Sequence, residues 1–388
     1  MPPPIYLDYN ATTPVAVEVA DAMQPFLRGA FGNPSSSHWF GRHANDAIED
    51  ARQHVAKLIG AQSQDIVFTG CATEANNLAL RGVAHALENH RRHIVVSSIE
   101  HPAVLEPSAW LRARGWEVSM VPVDRSGWVD PADVGNALRD DTALVSIMHA
   151  NNEVGTIQPI AAIAALAHAR GALMHTDAAQ SPGKIAVDVA DLQVDLLTLA
   201  GHKFYATKGV GALYVRPGTM IASDLQGAGQ EQGLRAGTEN VPAIVGLGVA
   251  ALLTMERTAT EAAHLKYLRD ELHRLLQHHV PELTLNGHPT MRLPNTLNVS
   301  FPCVSGRELL RMVDNKLAAS VGSACHSESD NVSGVLAAMT VGPAQAMGAI
   351  RLSIGHYSTV DEITRAAEVL ALAWKQLVAK NPLRSSYA

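Results

Sequence analysis

The chain has 388 residues, of which 47% are hydrophobic and 17% charged, with 30 lysines and arginines against 37 aspartates and glutamates. This composition is too apolar for a disordered chain, and the length favours two domains over one. The formal charge of -7 and the lack of a basic run argue against nucleic-acid binding, because neutralising phosphates requires a basic face.

The three cysteines, Cys71, Cys303 and Cys325, are an odd number without a C-x-x-C pair. This excludes a disulfide framework and a cysteine zinc site, and we predict no metal and a reducing compartment. The N-terminus lacks the features of a signal peptide. The longest uncharged apolar run, Val241 to Met255, is shorter than the ~20 residues that a bilayer requires. We therefore expect a buried helix there and a cytoplasmic protein without a membrane partner.

The chain begins with two predicted helices, from about Val15 to Leu27 and around Ala44 to Ile59. From residue 66 to 215 short β-rich runs alternate with helical stretches. The predicted strands are Ile66–Thr69, Ile94–Val96, Val118–Val123, Ala143–Met148, Ala172–His175, Leu196–Leu199 and Gly211–Val215. This order is typical of an α/β protein with a mainly parallel sheet, here of seven strands, covered by helices on both faces.

The apolar helix at 241–255 is predicted to lead into a charged connecting helix over 256–279. Short strands and loops follow between 281 and 351, and a helix closes the chain at 360–379. We predict a large domain over residues 15–255 and a smaller C-terminal α+β domain over residues 256–388, to which residues 1–14 add.

Polar groups follow five of the predicted strands. They are Thr73 with Glu74, Glu100 with His101, Asn151 to Glu153, Asp177 with Gln180, and His202 with Lys203. Because open α/β sheets bind ligands beyond the carboxyl ends of their strands, these groups are expected to converge on one crevice.

Each group alone has a plain structural interpretation. Thr73 suits the N-cap of a helix from Glu74 to Leu87, His101 and His202 suit hydrogen-bonded structural histidines, and Asp177 suits a helix cap. Together they indicate more, because a threonine at a helix N-terminus favours anion binding and a desolvated lysine forms Schiff bases. Phosphate site, lysine, carboxylate and histidine describe a pyridoxal phosphate pocket.

Motifs along almost the whole chain resemble those of the cysteine desulfurases and the related selenocysteine lyases, which are fold type I, class V aminotransferase-like enzymes. In the family's order they are Tyr6–Pro14, Gly32–His38, Ala72–Glu74 with Asn76–Leu78, Glu100-His101, Asn151–Gly155, His175–Gln180, Gly201–Tyr205, Gly229–Glu231 with Arg235 and Gly237–Asn240, Ser323–Ser327, and Arg351–Gly355.

The resemblance implies roles for individual residues. Lys203 would form the imine with the cofactor, and Asp177 would pair with its ring nitrogen. His101 would stack on the ring and relay protons, while Asn152 and Gln180 would bind the phenolic oxygen. The phosphate would be held from two subunits of a homodimer, by Ala72, Thr73 and His202 of one and Thr238 of the other. The substrate carboxylate would be taken by Arg351 and Asn33.

Cys325 is the predicted sulfur carrier. A free cysteine is usually a small buried hydrophobe, but the stretch from Gly322 to Gly334 is polar and suits a mobile loop. An ionisable exposed thiol is what sulfur transfer needs. Cys71 and Cys303 are interpreted as packing residues.

The implied reaction is a cysteine desulfurase reaction. L-cysteine would become L-alanine, and a persulfide on Cys325 would pass to a sulfur-acceptor protein, whether an iron-sulfur scaffold, a tRNA-thiolation carrier or a selenophosphate system. Ala200 stands where many cysteine desulfurases have a serine, so release of selenium from L-selenocysteine is the alternative. A transaminase of the same fold and a non-catalytic binding protein are the remaining hypotheses.

Overall fold

A computed structural model describes residues 3–322 and 333–380 of the chain. Within these ranges twelve α-helices form: α1 (Val17–Arg28), α2 (Trp39–Leu58), α3 (Ala72–Leu87), α4 (Pro102–Arg112), α5 (Pro131–Ala137), α6 (Ile160–Ala169), α7 (Val189–Leu192), α8 (Val241–His279), α9 (Gly306–Val313), α10 (Gly334–Ala338), α11 (Pro343–Met347) and α12 (Val360–Lys380). The same ranges contain twelve strands: β1 (Ile5–Tyr6), β2 (Ile66–Thr69), β3 (His93–Ser97), β4 (Glu117–Val121), β5 (Thr142–Ser146), β6 (Leu173–Asp177), β7 (Leu196–Ala200), β8 (Gly211–Val215), β9 (Thr284–Asn286), β10 (Thr296–Ser300), β11 (Leu317–Ala318) and β12 (Ala349–Ser353).

The central sheet has seven strands in the order β2-β8-β7-β6-β5-β3-β4. The pairs from β7 through β6, β5 and β3 to β4 are parallel, whereas β8 runs antiparallel to β2 and β7. The prediction of a mainly parallel seven-stranded sheet is therefore confirmed. Ile66–Thr69 and Gly211–Val215 match their predicted bounds, and the other five strands differ by one or two residues, since sequence patterns locate strand centres better than strand ends.

Both faces of this sheet are covered by helices. Successive residues of a strand point to opposite faces, so Phe68 belongs to the core cluster that includes residues of α1, α2, α6 and the first part of α8, while Val67 belongs to the cluster that includes residues of α3 and α4. Likewise, Leu197 belongs to the first of these clusters and Leu196 to the second. Burial on both faces explains why these strands read as continuous apolar runs.

A second core contains the C-terminal elements and the start of the chain. The antiparallel sheet β12-β10-β9 packs with the second half of α8, with α9 and with α12. The short strand β1 pairs in parallel with β11, which attaches the N-terminus to this core. This arrangement accords with the proposed small domain, whose bounds stay a prediction.

Helix α8 connects the two cores. The sequence predicts an apolar helix followed by a connecting helix, and the structure has one continuous helix of 39 residues. Its window Val241–Thr258 is long and apolar enough by length and composition to cross a membrane, and half of that window is buried inside the protein. Leu247, Ala250 and Ala251 within it belong to the core beneath the large sheet.

Candidate active site

A cavity of about 260 Å³ lies at the carboxyl ends of the parallel strands. The five strand ends that the sequence predicts to converge all contribute to it. Its lining comprises Asn10, Ala11, Cys71, Ala72, Thr73, Asn76, His101, Ala103, Met148, Ala150, Asn152, Asp177, Ala179, Gln180, Ala200, His202, Lys203 and Arg351.

One end of the cavity is the N-terminus of α3. The prediction of Thr73 as the N-cap is wrong: Cys71 occupies that position with extended backbone, and its side chain makes no capping hydrogen bond within the described chain. Intrahelical bonding starts with Ala75 N–H to the Cys71 carbonyl at 3.1 Å. The preceding N–H groups and the exposed Thr73 hydroxyl are thus left for an anion, which the helix dipole favours.

Gly211 of β8 lets α3 approach the sheet this closely. A Cβ atom added to Gly211 would lie 2.8 Å from the Cys71 carbonyl carbon, 2.8 Å from the Leu199 oxygen and 3.0 Å from the Ala72 nitrogen. All three neighbours are backbone atoms, which cannot rotate away. The position of the anion site therefore depends on the absence of a side chain at residue 211.

Lys203 lies in a one-turn helix directly after β7. Its Nζ donates hydrogen bonds to the carbonyl oxygens of Asn10 at 2.7 Å and Ala11 at 2.8 Å. The next turn is fixed to the same N-terminal segment, because Tyr205 N–H donates to Thr13 Oγ1 at 2.9 Å. The first residues of the chain therefore hold the amine at the cavity.

Asp177 ends β6 and is buried. Its Oδ2 accepts from Asn76 Nδ2 at 2.7 Å, and its Oδ1 accepts from Ala179 N–H at 2.9 Å. Asn76 Oδ1 is buried and has no partner among residues 3–322 and 333–380, so a polar atom at the cavity is left for a ligand to satisfy.

Two buried groups near Asp177 are neutral. Burial lowers the pKa of His175 to about 4, against a raising effect of Asp177, and its ring nitrogens contact Ser146 and Thr198. Burial raises the pKa of Glu100 to about 8, and this carboxyl accepts hydrogen bonds from Ser97 and from Met148 N–H. At neutral pH the side chains behind Asp177 therefore add little charge to the cavity.

The two cavity histidines are positioned differently. His101 is the N-cap residue of α4, and its Nδ1 accepts from Ala103 N–H at 3.1 Å, which leaves the proton on Nε2 in the neutral ring. His202 Nδ1 lies 3.2 Å from Thr12 Oγ1. Burial foremost, and after it the charges of nearby lysines led by Lys203, lower the pKa of His202 to about 4. His202 is thus a neutral hydrogen-bonding group near the anion site.

Arg351 projects from β12 and is 1% exposed. Its Nη1 donates to the Asn152 carbonyl at 3.0 Å, and its Nη2 donates to Asp8 Oδ1 at 2.7 Å. Asp8 is itself held by Ser320 Oγ at 3.1 Å. Arg351 Nε is buried and lacks a partner within the described ranges, so one edge of the guanidinium is left for a carboxylate.

Two of the predicted site residues, Asn33 and Thr238, do not line this cavity. Asn33 is exposed, and its Oδ1 accepts from Ser35 N–H at 3.0 Å. Thr238 is exposed on the segment between β8 and α8. Cys325 lies outside the described residues. Their roles stay predictions.

Cys71 is exposed on the cavity rim, so its interpretation as a packing residue is wrong. The N-cap position at a strand-to-helix turn puts this side chain outside the core. Cys303 is half-buried, as a packing residue would be.

Sequence reasoning assigned no role to Asn10, although it lies in one of the family motifs. Its side chain is buried, with Nδ2 donating to Thr296 Oγ1 at 2.9 Å and to the Asn152 carbonyl at 3.2 Å. Its carbonyl accepts from both Lys203 and Gln180. Only the return of the N-terminus over the sheet brings Asn10 there, and no local pattern encodes that return. Asn76, by contrast, lies one turn after Thr73 on the same helix face, a spacing that could have found it.

Comparison with known proteins identifies relatives over nearly the full length. The family model described as "Aminotransferase class-V" matches residues 5–366 of this chain. The chain is 46% identical over 384 residues to the cysteine desulfurase IscS of Dictyoglomus turgidum, covering 99% of this chain and 98% of that protein. It is 45% identical over 381 residues to IscS of Methanosarcina thermophila, covering 98% and 94%.

Two solved structures are similar throughout the fold. A NifS-like protein superposes with a TM-score of 0.91 at 38% identity, covering 96% of this chain and 100% of that one. The structure described as SspA in complex with cysteine gives a TM-score of 0.81 at 37% identity, covering 91% and 99%. Coverage of this extent includes both cores.

Proposed function

Because this chain belongs to the class V aminotransferase family and is a pyridoxal phosphate-dependent cysteine desulfurase of fold type I, we propose roles for its own residues in removing sulfur from L-cysteine. One observation carries the assignment. The amine of Lys203, the carboxyl of Asp177 and the guanidinium of Arg351 come from three separate elements and face one cavity.

The residues around the cavity fit the cofactor. The N-terminus of α3, with Ala72 and Thr73, and neutral His202 suit its phosphate, and the buried Asp177 suits its ring nitrogen. Gln180 and Asn152, which line the cavity, would bind the phenolic oxygen, and His101 and Ala179 would lie against the ring faces. When bound, the cofactor supplies an electron sink for the charge left on the substrate Cα.

Lys203 is the proposed general base. Its Nζ would hold the bound cofactor, and the free amine would accept the Cα proton of the substrate. The carbonyls of Asn10 and Ala11 orient this amine in the structure. Lys203 returns the proton in the later steps that form alanine.

Arg351 is the proposed carboxylate anchor of the substrate. Nη1 and Nη2 are occupied by Asn152 and Asp8, which fix the plane of the guanidinium. The remaining edge, with Nε, is available for a charge-assisted hydrogen bond to L-cysteine. Asn33 is proposed to assist from the α1–α2 connection.

Cys325 is the proposed sulfur acceptor. Its thiolate attacks the substrate sulfur, so an S–S bond forms while the substrate Cβ–S bond breaks. The electron pair of the broken bond stays on the substrate carbon and is protonated, which yields L-alanine and a persulfide on Cys325. The persulfide then passes to a sulfur-acceptor protein. A cytoplasmic location suits this chemistry, because a reducing compartment keeps the thiol free.

A homodimer is proposed because Thr238 is exposed on an anchored segment. Arg235 Nε donates to Glu74 Oε1 at 2.7 Å, and Glu231 forms a buried two-bond pair with Arg52 at 2.7 and 2.8 Å. These contacts hold the segment in place, and Thr238 on it is exposed and is not among the residues that line the chain's own cavity. In the proposed homodimer, Thr238 of one copy would contribute to the phosphate site of the other copy.

The experiment compares Cys325→Ser with Cys303→Ser. Each purified enzyme is given L-cysteine with a reductant, and alanine and sulfide are measured together with the visible absorbance of bound cofactor. We expect Cys325→Ser to lose alanine formation while keeping the absorbance, and Cys303→Ser to match the parent enzyme.

Alanine formation by Cys325→Ser at the parent rate would overturn the assignment of the sulfur acceptor. Activity confined to L-selenocysteine, tested in the same assay, would instead overturn the choice of substrate.

A further inference from the structure

Lys184 is a buried amine behind the cavity wall, and the reaction described above does not use it. It is 5% exposed and follows β6 in a tight turn closed by Lys184 N–H to the Ser181 carbonyl at 3.1 Å. Pro182 and Gly183 occupy the two central positions, and Gly183 has φ +75°, the pattern of a type II turn. The turn directs the lysine inward instead of into solvent.

A chain of hydrogen bonds joins Lys184 to Lys203. Lys184 Nζ donates to Gln180 Oε1 at 3.2 Å, and Gln180 Nε2 donates to the Asn10 carbonyl at 3.0 Å. The same carbonyl accepts from Lys203 Nζ at 2.7 Å. The two amines are thus separated by one amide and one carbonyl.

The charge on Lys184 is poorly compensated. Burial foremost, together with the charges of Lys203 and Arg351, lowers its pKa to about 7, while Glu261 on α8 opposes them. Glu261 is itself engaged by His356 Nδ1 at 3.3 Å. Holding a long cationic side chain here is costly, so packing alone gives no reason for a lysine.

We propose that Lys184 is a positioning residue for Gln180 and Lys203, fixing the amide of the first and, through the Asn10 carbonyl that both share, the place of the second. An ammonium group has donors only, so it requires the Gln180 oxygen and leaves the amide N–H groups for Asn10 and the cavity. The inference rests on the proposed roles of Lys203 and Gln180.

The test removes the charge with two variants, Lys184→Met and Lys184→Gln. Lys208→Met is the control, because Lys208 also lies near the site but is exposed. The first readout uses cofactor-free protein: the rate of covalent capture of pyridoxal 5'-phosphate is measured from pH 6 to pH 10. The second is the midpoint of thermal unfolding of the same cofactor-free samples.

Without the ammonium group, nothing requires the Gln180 amide to turn an N–H group towards the Asn10 carbonyl, so the hydrogen-bond partner that Gln180 shares with Lys203 is no longer fixed. We expect both Lys184 variants to slow capture approximately tenfold across the whole profile. Their thermal midpoints should not fall, because replacing a buried, poorly paired charge is often neutral or stabilising. Lys208→Met should leave the profile unchanged.

An unchanged profile in both Lys184 variants would overturn the inference, and so would a lowered thermal midpoint with the profile unmoved, which is the signature of a purely structural lysine. Slower capture in Lys184→Met alone would also overturn it, since Lys184→Gln lacks the donor-only ammonium group as well. Lys203→Ala separates this result from the proposed function: capture that persists without Lys203 refutes the role of Lys203 itself.

Discussion

Arg351 illustrates how single residues prepare this site. A buried guanidinium usually has all its donors satisfied, yet here two nitrogens are fixed by Asn152 and Asp8 and Nε has no partner in the described chain. The unsatisfied donor is costly in the free protein. A carboxylate ligand would remove that cost by accepting a hydrogen bond from Nε, which is why we propose Arg351 as the anchor of the substrate carboxylate.

We expect Arg351→Lys to weaken substrate binding. Lysine keeps the charge but loses the planar fork, and the lost charge-assisted bond is worth about 1.5–3 kcal/mol, or roughly a ten- to hundredfold rise in KM for L-cysteine. Arg292→Lys is the control, since Arg292 is also a buried arginine but does not line the cavity. Steady-state kinetics with both variants check this; a fall in kcat with KM unchanged would speak against the anchoring role.

The sequence identified the residues whose roles depend on local context. Asp177 and Lys203 could be found because each directly follows a buried strand, where a titratable side chain has to reach the crevice. Asn10 and Lys184 could not, because their positions depend on a long-range return of the N-terminus and on the inward direction of one turn. The exposure of Cys71 was not predicted, because residues at the end of a strand and residues at the start of a helix are similarly apolar in the sequence.

At the scale of elements, the junction of α3 with the sheet is the most demanding contact. No side chain within the described residues caps this helix, and its N-terminus is the proposed phosphate site. The backbone of β8 lies directly against the helix N-terminus at Gly211. The sequence predicted the helix and the strands on either side of it. Their spacing was not predictable, since it depends on atoms from residues 71 and 211.

Gly211→Val should therefore damage both stability and cofactor binding. A side chain colliding with three backbone atoms forces α3 outward, which typically costs about 1–3 kcal/mol. Gly29→Ala is the control, because a Cβ at Gly29 meets no atom within 4 Å. Thermal unfolding and pyridoxal 5'-phosphate titration of both variants check this. Parent-like cofactor affinity in Gly211→Val would show that the anion site tolerates displacement.

At the scale of the whole molecule, the two cores meet at the cavity. Lys203 and Asp177 come from the large sheet, whereas Arg351 comes from the antiparallel sheet of the second core. The sequence indicated the large sheet through its strand pattern, whereas between residues 281 and 351 it predicted only short strands and loops. The continuity of α8 was not anticipated, because its composition changes midway from apolar to charged while its helical geometry does not.

The proposed homodimer predicts complementation between subunits. Lys203→Ala and Thr238→Asp are each expected to inactivate their own homodimer, the second by placing a carboxylate near the phosphate. A heterodimer purified through two different tags combines both changes in one site and neither in the other. It should recover about half of the parent activity per dimer. No recovery would mean that Thr238 serves its own subunit.

The bonds made by the N-terminal segment have a consequence for the order of events during synthesis. Asn10 N–H donates to Ser353 Oγ at 2.9 Å, and Ser353 N–H donates to the Leu7 carbonyl at 2.8 Å, although these residues lie more than three hundred positions apart. A ribosome releases the chain from its N-terminus onward. The carbonyls that hold Lys203 therefore reach their final places only after β12 has emerged, so a nascent chain that ends before Ser353 has no complete cavity to load.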